Sequence, residues 1–521
     1  MLCGLGKLLS WENNLLSYEQ KSVAVAFSTQ FEQLEYQYPA ASNLLKVLSF
    51  LDPEHIPLKM IHDGAEKLRL QSPSEPSSSD INSIEPKFRQ SLLQKFKTKW
   101  HRRKGQPMGL SIVTPKLESV IALIAEPVQF QQGIQRLHNS SLVTHRYNMD
   151  SSEPEADTSV LRIHDLIKIM IQESVKKEDT HYLWFHVAVA LVCGAFQLID
   201  DPTSHLCWAQ CETLNPHVHS LTMWDEEHAV ENSELHLANI GIAEYFTSRG
   251  RYDEAEELFR KALARNDKVF GPEHIDTLWT VESLATTYYS QGRYEEAEAL
   301  QQRVLAGRKK VLGNKHTDTM GALNNLALTY QSQSRYKEAE ALYLKALKGN
   351  EKLLGPGHPD VLRIVDNLAI IYRLEKRYGE AEELFRRVMK GRQMLFGDEH
   401  PDTLGTMNNL GTVYLRQKRY TEAERQYKQA LAGTKKLLGS DHPDTLSTMH
   451  NLAFAYNSQG QYSEAERLYR HALEGREKML GSEHPDTLWT VRALADFFRQ
   501  HGRNSERIDL QNRFPLAFRS R

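Results

Sequence analysis

The stretch that decides the fold is GPGHPDVLRIVDNLAIIYRLEKRYGEAEELFRRVMKGRQMLF, residues 355–396, because related copies precede and follow it. Its opening G-x-x-H-x-D block recurs every 42 residues, with histidines at His274, His316, His358, His400, His442 and His484. A Y-x-E-A-E block keeps the same step, with tyrosines at Tyr252, Tyr294, Tyr336, Tyr378, Tyr420 and Tyr462. A fixed period of this length is the signature of a repeat architecture.

The pattern inside each copy predicts two helices. In one copy, Leu326, Ala327 and Tyr330 fall on a single helical stripe, and a second apolar stripe follows a break at 332–334. A glycine such as Gly355 suits the end of the second helix. The Pro-Asp dipeptide that follows most of these glycines predicts the start of the next helix, with the aspartate as its N-cap.

Small residues recur in the second helix and predict close helix packing. They form an alanine column at Ala255, Ala297, Ala339, Ala381, Ala423 and Ala465. Since one helix pair cannot bury both of its apolar stripes, neighbouring pairs must stack into a superhelical solenoid. The sequence therefore predicts a mainly α fold.

The Leu-Ala-x-x-Tyr stripe, followed by Ala-x-x-x-Tyr/Phe-x-x-Ala, resembles the tetratricopeptide repeat. The period of 42 residues with G-x-x-H-P-D between units is similar to the kinesin light chain subclass, over about residues 238–498. Gln301 replaces an aromatic residue and Gly411 replaces an alanine, and neither change threatens the fold. The pattern degrades after Phe498, which is typical of a polar terminal cap.

Composition places the chain among ordinary globular proteins. Hydrophobic residues make up 40% of the 521 residues and charged residues 25%, which excludes disordered, collagenous and disulfide-scaffold classes. Lys and Arg total 64 against 67 Asp and Glu, so a globally basic nucleic-acid binder is disfavoured. The four cysteines suit a reducing compartment, and the apolar run 187–196 is too short to span a bilayer. We expect a cytoplasmic protein without a membrane span.

The residues before the repeats predict a second module. We expect three helices and two strands there, the helices at 40–51, 130–137 and 164–174 and the strands at 141–147 and 159–163. Helices followed by a two-stranded wing predict a small winged-helix-like α+β domain. A Ser/Pro-rich loop at 72–80 and a basic stretch from Lys87 to Lys104 interrupt it. The basic stretch is either a solvated insertion or a patch for nucleic acid or anionic lipid.

This region resembles fungal NOD-like receptors, which are STAND NTPases that end in kinesin light chain-type repeats. The resemblance rests on YPAASNLLKVLSFLDPEHIP at 38–57, on SLVTHRY and LRIHDLIKIM, and on the helical stretch through LNPHVHSL. The Ile163-His164-Asp165 triplet is similar to the Met-His-Asp motif whose histidine faces the nucleotide phosphate in that family. The resemblance implies the part that follows a nucleotide-binding (NB-ARC) core.

The phosphate-binding loop of such receptors does not occur in this sequence. No G-x-x-x-x-G-K-[ST] motif is present, and in Gly4-Leu5-Gly6-Lys7 the next residue is Leu8, where a Ser or Thr must hold magnesium. No strand precedes Gly4 to frame a phosphate cradle. We therefore expect a truncated receptor or a standalone relative, without NTPase chemistry and without a cofactor.

The resemblance to tetratricopeptide repeats implies a concave groove lined by the first helices. There, one asparagine per repeat holds the backbone of an extended peptide, and here these are Asn325, Asn367, Asn409 and Asn451. A carboxamide can both donate and accept a hydrogen bond. Further candidates for the groove are Asn324, Asn408, Arg363 and Arg416. The alternative is that the asparagines satisfy neighbouring helices within the solenoid.

Two other repeated residue types predict structure rather than chemistry. The six histidines are spaced along the solenoid, so we expect them to anchor loops by hydrogen bonds and not to bind a metal. The glutamates of each E-A-E block predict a solvated helix face rather than paired catalytic acids. No catalytic, cofactor or metal site is expected.

Two function classes follow from these patterns. The first is a non-enzymatic scaffold that binds a protein or peptide in the groove, which the resemblance would make the sensor part of a NOD-like receptor, and no nucleic-acid partner is expected. The second is a fragment of a STAND NTPase switch whose nucleotide-binding core is missing. The expected domains are an N-terminal helical remnant, a winged-helix-like domain, connecting helices, the repeats and a degenerate cap, at 1–35, 36–176, 177–236, 237–500 and 501–521.

Overall fold

The computed structural model describes residues 18–71, 120, 122–146, 159–176, 181–204 and 206–518. They form two compact units. The first holds the described residues up to Pro272 together with Thr286–Gln291, and the second holds Glu273–Ala285 and the described residues from Gly292 onwards. The Ser/Pro-rich loop, the basic stretch Lys87 to Lys104 and the Gly4 to Lys7 segment lie outside the described residues.

The N-terminal part of the first unit combines helices with a small sheet. Its helices are α1 (Tyr18–Gln37), α2 (Pro39–Leu48), α3 (Leu58–Gln71), α4 (Pro127–Asn139), α5 (Asp165–Lys176), α6 (His181–Phe196) and α7 (Trp208–His228). Its strands are β1 (Ile56–Pro57), β2 (Thr144–Arg146) and β3 (Val160–Arg162). The sheet is antiparallel in the order β1-β3-β2, with Leu161 opposite both Ile56 and His145. The expected helices and strands are therefore present within a few residues.

Helix α6 forms the core of this N-terminal part. It packs against α2, α3 and α7, and Trp184 and Phe185 on it are fully buried. α3 and α6 cross so closely that a β-carbon at Gly64 would lie 2.1 Å from the carbonyl oxygen of Leu191, so only glycine fits there. None of the helices in the described ranges is both long and apolar enough to cross a membrane.

The repeats follow as pairs of helices. The first helices are α8 (Ser233–Ser248), α10 (Ile275–Ser290), α12 (Thr317–Ser332), α14 (Pro359–Leu374), α16 (Pro401–Arg416), α18 (Pro443–Ser458) and α20 (Pro485–Gln500). The second helices are α9 (Tyr252–Val269), α11 (Tyr294–Val311), α13 (Tyr336–Leu354), α15 (Tyr378–Phe396), α17 (Tyr420–Leu438), α19 (Tyr462–Leu480) and α21 (Asn504–Arg513).

The second unit is the predicted solenoid. Each second helix from α11 to α19 packs against the first helix of the next repeat. The first helices α12, α14, α16 and α18 also contact one another in turn. Stacking of this kind buries both stripes of every helix pair.

Small residues set the distance between the paired helices. All six residues of the alanine column are fully buried, which confirms the predicted close contact. A second column, which the sequence reasoning missed, is made of glycines on the second helices. A β-carbon at Gly391 would lie 2.7 Å from a methyl carbon of Leu362 on α14, and the equivalent glycines are equally tight. Likewise, a β-carbon at Gly411 would lie 2.8 Å from the ring of Tyr427, so the glycine leaves room for that ring.

The histidines of the G-x-x-H-x-D blocks cap the first helices. In His316, His358, His400, His442 and His484, Nδ1 accepts a hydrogen bond from the backbone N–H two residues later, at 3.1–3.2 Å. The predicted aspartate N-cap is therefore wrong: the aspartate lies inside the first turn, and histidine holds the cap. The expectation that the histidines anchor the loops is confirmed.

The second helix of the last described repeat, α21, is polar. No residue of α21 is buried. A 3₁₀ turn at Pro515–Phe518 follows and packs on α20, where Arg492 donates a hydrogen bond to the carbonyl oxygen of Ala517 at 2.5 Å.

Candidate functional site

The candidate asparagines lie half-buried on the first helices, and three of them tie neighbouring repeats together. Their Nδ2 groups donate across the repeat boundary, from Asn325 to Glu282 at 3.0 Å, from Asn367 to Asn324 at 3.2 Å and from Asn451 to Asn408 at 3.2 Å. The Nδ2 groups of these three asparagines therefore bind neighbouring helices within the solenoid, which is the alternative role that the sequence left open.

The carboxamide oxygens of three of these asparagines are open, whereas Oδ1 of Asn325 accepts from Asn324 at 3.4 Å. The Oδ1 atoms of Asn367 and Asn451 accept no hydrogen bond from another described residue. Asn409 makes no side-chain hydrogen bond at all within the described chain. The residue equivalent to the acceptors Asn324 and Asn408 is Asp366. Its Oδ2 lies 3.2 Å from Arg392 NH1 instead.

Two ion pairs join a first helix to the second helix of the same repeat, Glu282 with Arg308 and Asp366 with Arg392. At the equivalent positions the other repeats have Asn324 and Asn350, Asn408 and Thr434, and His450 and Arg476. The Arg308 guanidinium binds Glu282 through two hydrogen bonds of 2.8 and 2.6 Å. Where the first helix has an acid, the second helix has an arginine, and where the first helix has an asparagine, the equivalent residue of the second helix is uncharged. This pattern avoids a buried charge without a counter-charge, which is costly.

His450 is the exception to this pattern. It is buried beside Arg476 and stacks on Trp489, with ring centroids 3.7 Å apart. Burial lowers the pKa of His450 to about 3, and the positive charge of Arg476 adds to the effect. Arg476 instead donates to the hydroxyls of Ser447 and Thr490 at 2.8 and 2.5 Å. Burial and the neighbouring positive charge therefore both favour the neutral imidazole.

The two arginines predicted for the groove differ in their hydrogen bonds and exposure. Arg363 donates to Asp360 at 3.3 Å and is 41% exposed, and Arg416 is exposed at the end of α16. A third arginine, Arg373, was not singled out in the sequence. It lies in the last turn of α14, and its buried Nε has no acceptor. The sequence signal that could have identified Arg373 is the change from Gln331 in the preceding repeat to an arginine at the equivalent position.

The glutamates of the E-A-E blocks do not form a uniformly solvated face. The second glutamate accepts a hydrogen bond from an arginine of the next repeat, from Arg335 to Glu298 at 2.8 Å, from Arg377 to Glu340 at 2.9 Å and from Arg419 to Glu382 at 2.7 Å. Burial raises the pKa of Glu382, but its hydrogen bonds from Arg419 and Gln417 outweigh this and leave the pKa lowered. Such a carboxylate stays ionised and serves as an inter-repeat contact.

The residues considered for metal and nucleotide chemistry belong to the N-terminal part of the first unit. His164 of the Ile-His-Asp triplet is exposed, and its Nδ1 accepts from the backbone N–H of Leu166 at 3.2 Å. Among the described residues, His62, Asp63 and Glu66 place possible ligand atoms within 4.8 Å of one another, on a partly exposed helix face. Exposed groups of this kind are common without an ion.

Comparisons with known proteins show that this chain is similar to solved repeat structures. No curated protein matches the chain. A solved Podosopora anserina structure, described as nearly identical TPR-like repeats of a kinesin light chain, is 30% identical over 40% of this chain and 99% of that one, with a TM-score of 0.35. BtubC (BKLC) from P. vanneervenii is 26% identical over 45% of this chain and 92% of that one, with a TM-score of 0.37. NprR in complex with its cognate peptide NprX is 14% identical over 65% and 89%, with a TM-score of 0.41.

The family follows from the match to its sequence model. The model of the tetratricopeptide repeat matches residues 234–310, 318–394, 364–436, 402–478 and 444–513. Together these matches cover more than half of the 521 residues. The chain therefore belongs to the tetratricopeptide repeat family.

Proposed function

We propose that this chain is a non-enzymatic interaction scaffold whose first helices hold an extended segment of a partner protein in a concave groove. The observation that carries the proposal is the row of open carboxamide oxygens on Asn367, Asn409 and Asn451. They recur once per repeat, half-buried, and can accept from the backbone N–H groups of a bound chain. Because backbone groups are common to all peptides, side-chain specificity must come from other residues.

We further propose that the N-terminal α+β part is a regulatory winged-helix module, at about 36–176, and that the repeats are the sensor of a cytoplasmic receptor of the NOD-like type. The support is the sequence resemblance, together with the sheet and helices that occur close to the expected positions. The competing STAND switch is tested by titrating the full chain with a fluorescent ATP analogue. Saturable binding that His164→Ala abolishes would favour the switch.

The groove is tested with Asn409→Ala, because Asn409 has no hydrogen bond in the described solenoid that the change would remove. Peptides are first selected on the full chain from a displayed library of random dodecapeptides, and their affinities are measured by fluorescence anisotropy. Losing one hydrogen bond costs about 0.5–1.5 kcal/mol, so we expect roughly two- to ten-fold weaker binding. The melting temperature should stay the same.

The matched control is Asn314→Ala, which removes the same carboxamide from an exposed loop between two repeats. It should bind the selected peptides as the parent does. Equal affinities of the parent and Asn409→Ala for every selected peptide would contradict the asparagine row as a peptide contact.

A further inference from the structure

The C-terminal ends of the second helices carry a series of ion pairs between neighbouring repeats. In each, a lysine of the last helical turn binds an acid of a loop 37 residues earlier in the chain. Lys310 binds both carboxylate oxygens of Glu273 at 2.6–2.7 Å, and Lys436 binds both oxygens of Glu399 at 2.7 Å. Equivalent contacts of 2.8 and 3.1 Å join Lys268 to Glu231 and Lys478 to Asp441. These contacts show which two positions meet in each repeat.

In the middle of the array, both of these positions are lysines. Lys352, in the last turn of α13, is equivalent to the lysines of the ion pairs. The loop position that faces it in the other repeats is Lys315 instead of an acid. Both side chains are exposed. The acid that other repeats supply to this lysine is therefore replaced here by a like charge.

A second inter-repeat contact changes in the same way in this part of the array. Arg387 on α15 binds Glu351 on α13 at 2.5 Å, and the two residues are 36 apart in the chain. One repeat earlier, the equivalent residues are Lys345 on α13 and Lys309 on α11. Burial lowers the pKa of Lys309, and the positive charge of Lys345 lowers it further. Two lysine pairs thus stand between α11 and α13 where other repeats have an acid and a base.

A fifth lysine completes a basic surface, which we call the lysine patch: Lys309, Lys315, Lys345, Lys348 and Lys352. Lys345, Lys348 and Lys352 are three and seven residues apart along α13, so they lie on one face of that helix. None of the five forms an ion pair with another residue in the described ranges of the chain. The patch therefore presents several positive charges without a counter-charge from the solenoid.

The helix dipole accounts for only part of this charge. It stabilises Lys309 and Lys352, which lie in the last turns of their helices. It does not act in this way on Lys345 and Lys348 further back in α13, nor on Lys315 in the loop. The chain as a whole has a net charge of -3, so the patch is a local departure from the composition of the protein.

Exposed apolar side chains border the lysine patch. Leu344 lies one helical turn before Lys348, and Leu353 follows Lys352 directly. Their residues are 44% and 48% exposed. Complementary charge gives a contact its specificity, and burial of apolar side chains adds affinity. The partner that fits this surface therefore has several carboxylates with apolar residues among them.

We propose that the lysine patch is a second docking surface, which binds an acidic segment of a partner protein. It lies on second helices and a loop, not on the first helices that carry the asparagines, and so goes beyond the proposed groove. Carboxylates of the segment take the places beside Lys352 and Lys345 that acids of the chain itself hold in other repeats. Lys310 and Lys436 demonstrate that a lysine at this position of the array grips a carboxylate by both oxygens.

The test uses the full chain and fluorescein-labelled hexaglutamate, with hexaserine as the neutral control peptide. Binding is measured by fluorescence anisotropy at an ionic strength of about 0.15 M. The variant Lys309→Glu/Lys315→Glu gives Lys345 and Lys352 the acids that their equivalents have in other repeats. Its melting temperature should therefore not fall. Because two attractive charges become repulsive, hexaglutamate should bind this variant about ten-fold or more weakly than it binds the parent.

A matched control separates the patch from general charge. Lys337→Glu/Lys376→Glu makes the same change in net charge at exposed positions near the other ends of the second helices. The residues equivalent to Lys337 in two earlier repeats are Asp253 and Glu295, so an acid is accepted there. This control should bind hexaglutamate as the parent does. Lys345→Gln/Lys352→Gln, which removes charge without reversing it, should show an intermediate loss.

Three results would overturn the proposal. The first is a parent chain that does not distinguish hexaglutamate from hexaserine. The second is an equal loss of affinity in the patch variant and in the matched control. The third is tighter binding to phosphatidylserine vesicles or to a DNA duplex than to hexaglutamate, lost in Lys309→Glu/Lys315→Glu, which would assign the patch to a membrane or to nucleic acid.

Discussion

A buried histidine beside an arginine should make the C-terminal repeats sensitive to acid. The pKa of His450 in the folded chain is about 3, chiefly because of burial, whereas an unfolded histidine titrates near 6.5. The unfolded chain therefore binds more protons between these values. By linkage, stability that is fully present above about pH 6.5 is lost as the pH falls towards 3.

His450→Phe should flatten this dependence, because phenylalanine keeps an aromatic ring against Trp489 and cannot be protonated. Urea unfolding of the parent and the variant is compared from pH 7 to pH 4. Below about pH 6.5 the parent should lose about 1.4 kcal/mol more per pH unit than the variant. Parallel curves would mean that His450 is protonated without cost in the fold.

The close contact of the two helices in a repeat depends on small residues. Ala339 on α13 is fully buried, and Ala341, two residues later on the same helix, is exposed. Ala339→Trp should lower the stability of the repeats by about 1–3 kcal/mol or more, since an overpacked contact forces the helices apart. Ala341→Trp is the matched control and should melt near the parent. If both variants melt like the parent, the alanine column does not set the helix spacing.

Along the array, every second repeat boundary is held by a buried arginine. Arg392 on α15 binds Asp366 at 3.2 Å in its own repeat, and in the next repeat it binds the carbonyl oxygen of Asp402 and the hydroxyl of Thr406 at 3.1 and 2.6 Å. Arg308 and Arg476 make the same kind of bridge. The intervening positions, Asn350 and Thr434, are neutral. In a solenoid each repeat is stabilised by its neighbours, so these bridges set how cooperatively the array unfolds.

Arg392→Met should uncouple the array at this boundary. Breaking one partner of a buried ion pair leaves the other charge uncompensated, which costs about 3–5 kcal/mol. The double change Asp366→Leu/Arg392→Met removes both charges and should recover most of the loss. The measurement is urea unfolding with hydrogen exchange as a local readout, in which α15 and α16 exchange faster in the single variant. A double variant as unstable as the single one would show that the packing of Arg392, not its charge, holds the boundary.

The sequence by itself determined the period, the helix pairs, the buried alanine column and the repeat family. These depend on local periodicity and residue size, which a constant step of 42 residues displays directly. The cap was missed because His and Asp are both able to accept at a helix start, and only the backbone shows that His358 precedes the first turn.

The tertiary structure decided what the polar residues do. Asn367 meets Asn324 and Arg308 meets Glu282 across helix crossings, 43 and 26 residues apart, so their partners depend on how the helices rotate and stack. Periodicity alone therefore could not tell an asparagine donor used inside the solenoid from an acceptor left open, nor find that Arg373 lacks a partner. The physical reason is that hydrogen-bond partners are fixed at distances near 3 Å, whereas a repeat pattern specifies only which face of a helix a side chain occupies.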